Sequence, residues 1–213
     1  RHGGFAAALA FATPTVGDAE IALERGDSAA AARLAAAASA KMGATHPTGG
    51  TQQSIHDSSL GVSTLLLGQA QVLHGDFRAA EASLRNALVL RKSVGDSSID
   101  DQRDLGRIST WLALALARDG RAADARATIE PVAKFQRSLG LRNRGDEWQH
   151  VELAAALYTE ALVTPDRRGR LLHEAGALVA GVPAEMRATW DVRLWRDWIR
   201  AAESGGRGAA AGR

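Results

Sequence analysis

Apolar residues recur along most of the chain at spacings of three and four, the period of a helix that buries one face. From residue 77 the stripe runs Phe77, Ala80, Leu84, Ala87 and Leu88, and from residue 122 it runs Ala122, Ala125, Ile129, Val132 and Ala133. Residues 147–163 carry another, through Val151, Leu153, Ala154, Leu157, Tyr158 and Leu162. Near the C-terminus Met186, Trp190, Leu194, Trp195, Trp198 and Ile199 fall on one side of a predicted helix, with Arg187, Arg193, Arg196 and Arg200 largely elsewhere. The predicted elements are helices.

Three of the breaks between stripes share one pattern. Gly26-Asp27 is followed by Ala31, Gly75-Asp76 by Ala80, and Gly120-Arg121 by Ala125, the alanine always five positions after the glycine. A glycine just past a helix end takes the left-handed conformation without a Cβ clash. A small residue early in the next helix lets the two helices pack closely. Asp27 and Asp76 are placed to cap the second helix, each worth about 1 kcal/mol. A fourth pair is punctuated differently: Thr164 is the expected cap and Pro165 the first helical position, with Gly181 ending that helix and Pro183 preceding the last.

Composition agrees with helices and narrows the chemistry. Of 213 residues 44 are alanine, while one tyrosine, four phenylalanines and five tryptophans are the aromatics, so buried surface comes mostly from small and aliphatic side chains. With no cysteine, disulfides, thiolate nucleophiles and cysteine-ligated metal sites are excluded. The net charge is +2. Residues 1–100 carry 8 basic and 9 acidic residues and residues 101–213 carry 18 and 15, so neither half gathers the excess expected of a nucleic-acid binder. The longest opening apolar run, Phe5 to Ala12, is far short of the roughly 20 residues that span a bilayer. The chain opens on Arg1 rather than methionine, so residues 1–12 are expected to be the remnant of a longer chain. Residues 204–213, mostly glycine and alanine, are expected to be a disordered tail.

Around the shared turns the match extends. Leu67-Gly68 precedes Gly75, Trp111, Leu112, Ala113 and Leu116 precede Gly120, and the alanines follow. In this the chain resembles the tetratricopeptide repeat family, built of helix-turn-helix units with a leucine and small residue in the first helix, glycine at the turn and alanines in the second. The unit from Gly61 to Lys92 departs from the signature at Gln71 and Lys92, where the family has an aromatic residue and a proline. The turn glycines lie 49 and 45 residues apart, longer than the roughly 34 of the plain repeat. Together with Lys41 to Pro47, above all His46-Pro47, this resembles the long-repeat, kinesin-light-chain-like subclass. Between Pro47 and Gly68 there are more positions than that subclass uses, so either a loop insertion or an extended first helix lies there. The resemblance implies an all-α, TPR-like α-solenoid over residues 13–203, with units at about 13–45, 55–95, 99–139 and 147–181 and a capping helix at 184–202.

Candidate chemistry is sparse. The glycines and threonines of Gly43 to Thr51 lack the lysine of a phosphate loop. Glu147 and His150, with His173-Glu174, supply one of the two Glu-x-x-His pairs a di-iron bundle needs, and read as helix-surface residues. The tryptophans read as core fillers, and Arg167-Arg168-Gly169-Arg170 as a solvated basic run. No catalytic, cofactor or metal residues are assigned, and an enzyme is not expected.

In a solenoid the first helix of each unit lines the concave face, which the resemblance implies is the binding surface. In the register above it holds Val62, Leu65, Gln69 and Val72 in the second unit, and Arg107, Thr110, Leu114 and Arg118 in the third. These residues imply a scaffold that binds a protein or peptide partner, with apolar contacts beside Gln69, Arg107 and Arg118 for backbone or acidic groups. Direct nucleic-acid binding and a membrane span are not expected, and the expected compartment is cytoplasmic. The second reading is a regulatory C-terminal region of a larger bacterial signalling protein, a kinase or transcriptional regulator.

Overall fold

A computed structural model describes residues 3–95, 98–142 and 145–205. Among them all regular structure is helical: α1 (Gly3–Glu24), α2 (Ser28–Gly43), α3 (Gly50–His74), α4 (Phe77–Val94), α5 (Ile99–Arg118), α6 (Ala122–Arg142), α7 (Glu147–Val163), a 3-10 turn (Pro165–Arg167), α8 (Arg168–Ala180) and α9 (Trp190–Glu203). No described helix is long and apolar enough to cross a membrane. The chain divides into two compact units, one running to Trp111 and the other starting at Leu112. In the first, α1 packs on α2 and α3, α2 on α3, and α3 on α4. In the second, α6 packs on α7, α7 on α8 and α9, and α8 on α9.

The three glycine turns are built alike. Gly26, Gly75 and Gly120 have φ of +78°, +94° and +82°. At each, the glycine N–H and the next N–H turn back into the preceding helix: Gly75 donates to the Val72 carbonyl (3.2 Å) and Asp76 to that of Gln71 (2.8 Å), with Leu23/Ala22 and Ala117/Leu116 accepting at the other two. This double bond satisfies carbonyls that a helix end otherwise leaves bare. Ala31, Ala80 and Ala125 are all fully buried. Asp27 caps α2 by accepting from the Ala30 N–H at 2.8 Å. Asp76 and Thr164 make no such side-chain bond, so the caps expected there are absent.

Close approach is tightest at Gly68. A Cβ there would lie 2.5 Å from Cγ of the buried Leu84, so α3 and α4 cross at this separation only because the position is glycine. At the N-terminal end Ala8, Ala12, Ala38 and Met42 form an apolar cluster, with Phe5, Val16 and Leu60 against it. Residues 3–12, set outside the repeats by the sequence reading, are therefore the opening turns of α1. The long stretch before Gly68 resolves as an extended helix, since α3 begins at Gly50 rather than 55. The last helix begins at Trp190, not 184: turns occupy residues 184–188, and Arg187 Nε donates to the Val182 carbonyl at 2.8 Å. Ser204 and Gly205 form a turn, and the rest of the expected tail lies outside the described residues.

Polar bonds stitch the first unit. Ser39 and Ser63 join α2 to α3 at 3.0 Å. The buried His56 ring sits between the Met42 carbonyl (3.0 Å) and the Asp57 carboxylate (2.9 Å). Asp57 also accepts from Gln53 at 2.8 Å and from Ser93 of α4 at 3.1 Å. Arg91 of α4 holds Asp101 and Asp104 at the start of α5, the latter at 3.0 Å. Burial pushes the Asp57 carboxyl up, but the hydrogen bonds from His56, Gln53 and Ser93 outweigh it and hold the group below its ordinary 3.8.

Two outcomes follow for stability. Gly68→Ala costs about 1–3 kcal/mol by overpacking and Gly75→Ala about 1–2 kcal/mol by left-handed strain. Gly17→Ala, in α1 with open space around the new Cβ, is neutral or stabilising; urea denaturation ranks the three. The Asp57 contribution is complete above its unfolded pKa and lost as pH falls through the lower folded-state value. The stability gap between wild type and Asp57→Asn is therefore smaller at about pH 3 than at neutral pH, as thermal melts at the two pH values measure.

Candidate functional site

The eight residues expected on a concave face differ in exposure. Leu65, Gln69, Val72, Thr110 and Leu114 are buried. For α3 the cause is visible in its neighbours: it packs on α1, α2 and α4 at once, and the positions expected to face a ligand face other helices. Thr110 spends its hydroxyl on the Gly106 carbonyl at 2.9 Å. Val62, 42% exposed, and Arg107 remain at the surface, Arg107 paired to Asp104 at 3.0 Å. The eighth, Arg118, is half-buried and belongs to a cluster the sequence reading did not assemble.

That cluster lies within the second unit. Arg118, at the C-terminal end of α5, donates from Nη2 to the Tyr158 hydroxyl at 3.0 Å, and its guanidinium carbon lies 5.8 Å from the centroid of Trp198. Tyr158 of α7 stacks on Trp198 at 5.9 Å and meets Trp195 edge-on at 5.9 Å, and the two tryptophans are edge-on at 5.4 Å. At 3.6 residues per turn, a spacing of three puts Trp195 and Trp198 on adjoining positions of α9, and Tyr158 meets both because α7 packs on α9. Tyr158 and Trp195 are buried, while Trp198 is half-buried like Arg118. Burial pushes the Tyr158 hydroxyl above its ordinary 10.0, and the Arg118 charge opposes that shift without cancelling it. The hydroxyl therefore remains protonated, and its oxygen accepts from the cation. A guanidinium fixed by one hydrogen bond and one ring keeps further N–H donors in a set direction, which suits a carboxylate or carbonyl acceptor. The sequence signal was available: the chain's sole tyrosine, and a Trp-x-x-Trp pair on an amphipathic helix.

A second charged group lies nearby in the same unit but turns inward. Glu160 of α7 is 2% exposed, and its Oε1 pairs with Arg167 at 2.8 Å, while Arg137 of α6 lies 4.0 Å from Oε2 and binds Glu174 of α8 at 2.9 Å. Arg167, read from sequence as part of a solvated run, is thus bound to a buried carboxylate. Oε2 and the hydroxyl of Thr164, one helical turn on, are buried without a hydrogen-bond partner. Among the described residues no three His, Cys, Asp or Glu side chains gather as they would around a metal ion. Of the tryptophans read as core fillers, Trp111 and Trp195 are buried and Trp148 is 45% exposed.

Compared with protein-family models, with curated proteins and with solved structures, the chain matches none.

The Tyr158 hydroxyl holds Arg118 in place. Tyr158→Phe keeps the ring packing and removes the acceptor, costing about 1 kcal/mol. Tryptophan emission shifts as the cation moves relative to Trp198, and fluorescence-monitored unfolding reads both effects.

Proposed function

We propose that the chain is a protein-interaction scaffold of tetratricopeptide-repeat type, which binds a peptide or protein partner across the first helices of its units. Three left-handed glycine turns, each followed five residues later by a buried alanine, support the repeat reading. So does the packing, within each unit, of helices on those one or two places away in the chain. The kinesin-light-chain-like subclass is favoured by the long intervals between the turn glycines.

The observation that carries the binding reading is Arg118. Its guanidinium is held by Tyr158 and Trp198, side chains of α7 and α9; α5 and α7 are the helices that open successive units, and α9 is the helix that caps them. A repeat array of this kind presents the opening helices to its ligand. The half-buried cation is preorganised, so less side-chain entropy is lost when an acidic or carbonyl group of the partner arrives. Binding therefore centres on Arg118, with the half-buried Trp198 face supplying apolar contact. Leu65, Gln69, Val72, Thr110 and Leu114 support the helices from within.

Peptides selected from a random library against the 213-residue chain test this. Their affinity falls at least tenfold, about 1.4 kcal/mol, in Arg118→Ala. It is unchanged in Arg33→Ala, an exposed position on α2. Equal affinity in both variants would count against a site at Arg118.

A further inference from the structure

A hollow of about 270 Å³ opens between α8 and α9, lined by none of the side chains of the Arg118 cluster. It is smaller than the roughly 300–1,000 Å³ of sites for drug-sized ligands, so its occupant is a small metabolite or a single residue-sized group. Ala177 and Ala180 of α8 and Ile199 of α9 give it an apolar floor. Arg196, paired to Asp197 at 2.9 Å, also lines it, and Arg200, Glu203 and His173 complete its polar lining.

Among the described residues the side chains of these three polar residues have no hydrogen-bonding or ionic partner. Arg200 and Glu203 are three positions apart on α9, a spacing at which opposite charges commonly close on each other. Here they stay apart. The Glu203 carboxylate instead leans over α8: a Cβ at Gly176 would lie 3.0 Å from its Oε1, so glycine supplies the room in which it sits. The hollow thus offers a cation and an anion separated by about one helical turn, above an apolar surface.

A purely anionic ligand would meet Glu203, and a purely cationic one would meet Arg200. A ligand bearing both charges satisfies each. We propose that the hollow binds a free α-amino acid with a short aliphatic side chain. Its carboxylate pairs with Arg200, its ammonium with Glu203, and its side chain lies on Ala177, Ala180 and Ile199. This is independent of partner binding at Arg118, and neither reading depends on the other.

Calorimetric titration of the whole chain with leucine, 4-methylpentanoate and 3-methylbutylamine tests the proposal. The two analogues keep leucine's side chain and lack the ammonium or the carboxylate. Leucine binds, and each analogue binds at least tenfold more weakly because one of the two charges is left without its partner. In Glu203→Gln leucine loses at least tenfold while 4-methylpentanoate does not weaken; in Arg200→Ala leucine weakens as much. Both positions are exposed, so the variants retain the wild-type circular dichroism spectrum. Absence of leucine binding at millimolar concentration would overturn the proposal, as would an analogue that binds as tightly as leucine.

Discussion

The separation at which neighbouring helices cross is the constraint on which the other features depend. Gly68 meets Leu84 at a distance no Cβ tolerates, and each left-handed glycine turn delivers a fully buried alanine into the next crossing. Small residues at crossings let backbones approach, and dispersion between closely packed atoms then replaces the area that bulky side chains supply elsewhere. Such a core is thin. Polar side chains are buried beside alanine where they find partners: Ser63, His56 and Gln149 reach a neighbouring helix, the last bonding Gln136 at 2.8 Å, while Thr64, Thr110 and Thr159 bond carbonyls one turn back in their own helices.

Helix content and turn positions were legible in the sequence because they are local. A glycine needing positive φ, and an alanine five residues on, mark each turn without reference to anything distant. Caps were less legible. Asp27 and Asp76 occupy equivalent places, yet only Asp27 turns its carboxylate onto the backbone. The binding face was the least legible. The periodic stripe identifies which positions of α3 are apolar, but a helix packed on three others buries polar-compatible positions too, so Gln69 and Val72 could not be told from a concave surface. Arg118 was placed on the candidate face, while its partners Tyr158 and Trp198 are 40 and 80 residues away and meet it only through packing.

Charge follows a similar division. Near-neutral halves, with 26 basic and 24 acidic residues overall, conceal a specific pairing scheme in which arginine does most of the bridging between helices. Arg91 spans α4 and α5, Arg126 binds the Val163 carbonyl at 3.1 Å, and Arg137 reaches from α6 to α8. The planar guanidinium can serve two acceptors at once, which a lysine ammonium does less well, and only three lysines are present.

The order of packing along the chain also governs how the molecule loses structure. In the first unit no helix from α1 to α4 rests on anything more than two helices away, and the same is true from α6 to α9. Loop closure across such short separations is cheap, so the entropic barrier to folding is low and contacts form on the timescale of helical bundles. The converse is graded unfolding. Helices with fewer packed neighbours open to solvent and exchange their amides before the others do. The α9 helix carries Trp195 and Trp198 as well as one wall of the hollow, so its opening would dissolve both sites together.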